Sequence, residues 1–86
     1  MNGRVPSPVR IAAEILRHIE QNPEARDAAE GIAQWWVHQP VDLVRHALDV
    51  LMALHFITVR TVSGTHVYEG ADGKEEEIRA WLAKLG

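Results

Sequence analysis

Residues 27–69, DAAEGIAQWWVHQPVDLVRHALDVLMALHFITVRTVSGTHVYE, place two helical stretches and a β-hairpin in close succession. Asp27 followed three residues later by Glu30 has the form of a capping box, in which each side chain satisfies a backbone N–H at a helix start. A helix is expected from about Ala28 to Val37, burying Ala29, Ile32, Ala33 and Trp36. Gly31 costs about 1 kcal/mol relative to alanine inside a helix, so its presence suggests the close approach of another helix. His38-Gln39-Pro40 forms a turn, and a second helix runs on to about Leu54. Its apolar face is Val44, Ala47, Leu48 and Leu51. From Ile57, alternation of Ile57, Val59 and Thr61 with Thr58, Arg60 and Val62 has the period of a strand. Ser63-Gly64 is a tight hairpin turn, and Thr65–Glu69 is the return strand. Alternation alone leaves open which of Val67 and Tyr68 faces inward.

The flanks add one helix on each side. Ser7 followed by Pro8 starts a helix with a hydroxyl cap and a proline whose missing N–H is harmless at the first position. Ile11, Ala12, Ile15, Leu16 and Ile19 recur at helical spacing until Asn22-Pro23 stops the run. Near the C-terminal end, Ile78, Trp81, Leu82 and Leu85 lie at i, i+3, i+4 and i+7. Glu75-Glu76-Glu77 suits the first turn of that helix, where negative charge opposes the helix dipole favourably. The order is α1-α2-α3-β-β-α4, a mainly α fold with a small β-hairpin (α+β). Residues 1–7 are expected to form a flexible N-terminus and residues 8–86 a single domain. Within it the helical pair covers about 28–54, the hairpin about 57–69 and the last helix about 74–85.

The spacing of Ile32-Ala33, Val44, Ala47-Leu48, Leu51 and Phe56-Ile57 follows a loose V-x-x-A-L-x-x-L-x-x-x-G-h-I pattern. With the element order, it resembles the winged helix-turn-helix superfamily of bacterial regulators over residues 8 to 69. His55 stands where the pattern has glycine. A left-handed helix end prefers glycine, though histidine tolerates positive φ better than most residues, so His55 is expected to cap the third helix. The resemblance implies a small DNA-binding protein that inserts its third helix into the major groove and flanks it with the hairpin as a wing.

The residues such a fold would present are identifiable. Asp42, Arg45, His46 and Asp49 lie at i, i+3, i+4 and i+7 and form one polar stripe opposite the apolar face. Arg45 is suited to guanine, an aspartate to cytosine, and His46 to a base or phosphate. Arg60 and His66 would contribute from the wing, with Arg4, Arg10, Arg17 and Arg26 as candidates for phosphate contacts. The charge distribution opposes this use. The whole chain carries −3, and residues 27–73 hold two arginines against six acids, a local −4. Arg45 also has Asp42 and Asp49 within one helical turn, so local pairs worth a few tenths of a kcal/mol would neutralise it. DNA affinity comes mainly from neutralised phosphates, and this segment offers few cations. The alternative is a winged-helix interaction module that holds a protein partner and has no DNA role.

Apolar surface appears in surplus. Leu43, Val50, Met52 and Leu54 lie off the main face of the third helix. Trp35 and Trp36 are adjacent and diverge by about 100° on a helix, so one can be core while the other needs separate cover. Tryptophan is enriched at interfaces. Trp35, Leu43, Val50, Leu54, Trp81 and Leu85 are therefore the candidate interface set, and a homodimer is expected.

Other classes fit poorly. The chain has no cysteine and only two serines, and both of those have structural roles. Its five histidines are scattered over separate elements without a His-x-x-x-His pair. Gly70-Ala71-Asp72-Gly73 lacks the lysine and preceding strand of a phosphate loop. No catalytic residues, cofactor or metal are expected, and the protein is not expected to be an enzyme. The longest apolar run, Val50–Leu54, is far too short for a membrane span, and no signal peptide pattern is present. A cytoplasmic location is expected.

Overall fold

Ser7 caps the first helix, α1 (Pro8–Gln21), by accepting a hydrogen bond on its Oγ from the Arg10 N–H at 3.2 Å. The computed structural model of the chain describes residues 7–85. The remainder of the N-terminal segment expected to be flexible, residues 1–6, lies outside the described residues. α1 is followed by a two-residue strand β1 (Arg26–Asp27), then α2 (Ala29–Gly31) with a π-helical continuation over Ile32–Val37. α3 (Val41–Ala53), β2 (Ile57–Val62), β3 (Thr65–Gly70) and α4 (Glu75–Leu85) complete the chain. This is a winged helix-turn-helix fold.

The core is built where the apolar periodicities of the helices converge. Ile11, Ile15, Leu16, Ile32, Val44, Leu48 and Leu51 are almost completely removed from solvent. α1 packs mainly across α3, so Ile11, Ile15 and Leu16 meet the Val44–Ala47–Leu48–Leu51 face. Each large side chain contributes about 1.5–3 kcal/mol through burial. α4 closes one side with Ile78 and Leu82, and its Trp81 meets Phe56 edge to face at 5.9 Å. Among the described residues, no polar or charged side chain is buried. Every such group available to a partner therefore stands at the surface.

Both ends in the helix pair use histidine in the left-handed region. At the end of α3, His55 has φ 64°. Its N–H donates to the Met52 carbonyl at 3.0 Å, and the Phe56 N–H to that of Leu51 at 3.0 Å. This is the Schellman arrangement, with Phe56 and Leu51 both in the core, and it bears out the expectation that His55 caps the helix. His38 ends the π-helical segment in the same conformation, with φ 56°. There the Gln39 N–H reaches back six residues to the Ala33 carbonyl at 3.1 Å.

Three expectations require correction. Asp27 and Glu30 do not form a capping box. Residues 26–27 are recruited into strand pairing, Arg26 opposite Glu69 and Asp27 opposite Tyr68, and Ala28 becomes the N-cap. Asp27 Oδ1 accepts instead from the adjacent Ala28 N–H at 2.8 Å. The second helix is not a regular α-helix, because its turns widen from Ile32. The buried set Ile32, Ala33, half-buried Trp36 and Val37 fits the wider period as well as the ordinary one, so the pattern carries no sign of the change. Gly31 does not admit a helix. A Cβ there would collide with the Asp27 carboxylate, which lies over the glycine.

The sheet is three-stranded and antiparallel, in the order β1-β3-β2. Ser63 and Gly64 both have positive φ, 51° and 80°, as a two-residue type I′ hairpin requires. Register then assigns the faces. Thr61 opposes His66 and Val59 opposes Tyr68, whereas Arg60 opposes Val67. Tyr68 packs against the core cluster, so Val67 lies on the outer face, which settles the alternative left open by the alternation.

Candidate nucleic-acid interface

The exposed stripe of α3 is as the spacing requires: Asp42, Arg45, His46 and Asp49 are all at the surface. The local ion pairs expected along it do not form. Arg45 turns away from Asp42 and Asp49, and its Nη2 lies 2.7 Å from Oε2 of Glu30 on α2. Asp42 and Asp49 make no ion pair among the described residues. The reason is geometric. α2 crosses close to α3 and brings a carboxylate to the guanidinium from a second element.

Arg45 and Glu30 line an open groove together with Ala29, with Gly64, Thr65 and His66 of the wing tip, and with Tyr68. The His66 Nδ1 lies 3.2 Å from the Thr61 Oγ1 across the hairpin. This contact fixes the ring relative to the strand pair and leaves Nε2 unused by it.

Arg60 is not part of this groove. Side chains alternate between the faces of a strand, and the register puts Arg60 on the opposite face from Thr61 and His66. The two residues expected to act together as a wing contact therefore point to opposite sides. On the outer face Arg60 holds Glu69 through Nε at 3.0 Å and Nη2 at 2.5 Å. Arg26 of β1 adds a longer contact to the other Glu69 oxygen at 3.7 Å. Arg10 and Arg17 line a different depression with Val9, Glu14 and Leu85, and Arg4 lies outside the described residues.

The candidate interface residues also separate. Trp81 and Leu43 pack against the core cluster, and Val50 is half-buried. Trp35 is 67% exposed, and Leu54 and Leu85 are exposed as well. Trp36 is the covered member of the pair, stacked on His18 with ring centroids 4.4 Å apart. Glu30, Thr65 and Tyr68 belong to the groove and were not among the site residues expected from the sequence. Glu30 is fifteen positions from Arg45, and nothing local to either residue signals the pairing.

Among the described residues no three histidine or acidic side chains converge as a metal site would require. No helix there is long and apolar enough to cross a membrane. No family model matches the chain, and no curated protein matches it. Among solved structures, the crystal structure of Sso10a-2, a DNA-binding protein from Sulfolobus solfataricus, is similar. Its TM-score is 0.66 at 17% identity, covering 87% of this chain and 73% of that one. At that identity the likeness is one of fold.

Proposed function

We propose that the chain is a small winged-helix protein that binds double-stranded DNA, with residues 8–86 acting as one domain and regulation of transcription as its role. The carrying observation is the placement of Arg45. It is exposed on α3 and lines one groove with the wing tip, in a fold similar to that of a DNA-binding protein. In such a fold the outward side chains of the second helix of the pair enter the major groove. Arg45 supplies the central cation, with Asp42, His46 and Asp49 beside it and His66 approaching from the wing. Arg60 serves the same duplex only from the outer face of the hairpin. The local −4 predicts weak binding with a shallow salt dependence, because few phosphates are neutralised.

Anisotropy of a labelled duplex titrated at about 50 mM salt tests this. Arg45→Ala is expected to weaken binding roughly tenfold. Binding that is absent in the native chain, or unchanged in the variant, would overturn the assignment. A second reading is a protein-interaction module, and the exposed Trp35 favours it. Its partner would be a basic protein facing the acidic segment, and Trp35→Ser would abolish that contact while leaving any DNA binding intact.

A further inference from the structure

Only two arginines lie in residues 27–73, and both are engaged by carboxylates of the same chain. Arg60 is held at two nitrogens by Glu69, whose side chain is 23% exposed within the sheet and shared with Arg26. That contact is part of the wing. The Arg45 contact is of another kind. One terminal nitrogen meets one carboxylate oxygen, and the side chains are 53% and 67% exposed. Such an exposed pair contributes little to stability and exchanges readily with other partners. A carboxylate oxygen and a phosphate oxygen are the same kind of acceptor for a guanidinium.

We propose that Glu30 is an autoinhibitory contact: it occupies Arg45 in the free protein and must be displaced by a backbone phosphate of the duplex. This rests on the DNA-binding assignment above and adds its regulation. Displacement has two costs, loss of the pair and exposure of an unpaired Glu30 carboxylate beside the phosphates. The groove has Arg45 and His66 to set against that charge. Binding is thereby held weak until the phosphate is presented in register with both α3 and the wing tip.

The test uses the full chain and a random-sequence duplex in a salt series, with four proteins: native, Glu30→Gln, Arg45→Ala and the double variant. Thermal melts establish that each is folded. Glu30→Gln is expected to raise affinity roughly two- to five-fold, the equivalent of an exposed ion pair. The slope of log K against log salt should stay close to the native one, because Arg45 neutralises one phosphate in either complex. In the Arg45→Ala background the gain should be smaller, since only the repulsion remains to be relieved. Equal gains in the two backgrounds would reduce Glu30 to a through-space charge and overturn the contact as a competitor. A loss of affinity in Glu30→Gln would overturn it in the other direction, making Glu30 a brace for Arg45. If Arg45→Ala weakens binding but Glu30→Gln changes nothing, the inhibitory contact alone fails. If no protein in the set binds, or all bind equally, the DNA assignment fails and takes the contact with it.

Discussion

Gly31 sits beneath a carboxylate. The Asp27 side chain accepts from the Ala28 N–H at 2.8 Å and covers the face where a Cβ would project. Two effects oppose each other on replacement by alanine. Helix propensity favours alanine by about 1 kcal/mol. Displacing Asp27 sacrifices a hydrogen bond to a charged acceptor, worth roughly 1.5–3 kcal/mol. The second is larger, so Gly31→Ala is expected to destabilise the fold by roughly 1 kcal/mol in urea unfolding. In an Asp27→Ala background the same change should stabilise, because only propensity remains. A stabilising Gly31→Ala in the native background would show that Asp27 moves aside freely. The sequence shows the glycine as an anomaly in a helical run, but the group that requires it becomes visible only when β1 pairs with β3 and turns Asp27 over α2.

At the scale of elements, the ends of α2 and α3 determine how the helix pair is shaped. Each ends on a histidine in the left-handed region. For a residue with a Cβ that conformation costs roughly 1–2 kcal/mol. Glycine at His55 would remove most of that cost and add back up to about 1 kcal/mol of chain entropy in the unfolded state. His55→Gly is therefore expected to stabilise the protein by roughly 0.5 kcal/mol, a rise of about 2–4 °C in Tm by calorimetry. A lower Tm would mean that the His55 ring makes a contact outweighing its backbone strain. The end of α3 was legible because Phe56-Ile57 follows it in a spacing that allows few other outcomes. The widening of α2 was not legible. The positions buried by the π-helical segment also satisfy an α-helical period.

At the scale of the molecule, the distribution of apolar surface is unfinished. Trp35 leaves about two-thirds of its surface in water, roughly 150 Å2 for a side chain of this size. At 25 cal/mol per Å2 that is about 3–4 kcal/mol of burial unused. Leu54 and Leu85 are exposed as well. A homodimer covering Trp35 is the arrangement we propose. Sedimentation at micromolar concentration should give about twice the chain mass of 9.6 kDa, and Trp35→Ser should return the monomer. A native chain that sediments at 9.6 kDa removes the dimer and leaves Trp35 for another partner. The sequence had counted Trp81 and Leu43 in the same set. In the fold both are partly buried, Trp81 edge to face with Phe56 and Leu43 beside the core.

By itself the sequence determined the order of the four helices and the hairpin, the apolar faces of α1, α3 and α4, the hairpin turn at Ser63-Gly64 and the exposed stripe of α3. All of these follow from interactions within about one turn of helix or one pair of strands, and residue spacing records them directly. Tertiary structure alone decided the partners. It drew Asp27 into a third strand, set Glu30 against Arg45 and placed Arg60 and His66 on opposite faces of the wing. Those outcomes depend on how elements cross and in what register strands pair. Charge pairing across elements is worth no more than about 1 kcal/mol at an exposed site, so it leaves no pattern in the chain. It appears only after apolar burial has fixed the helices.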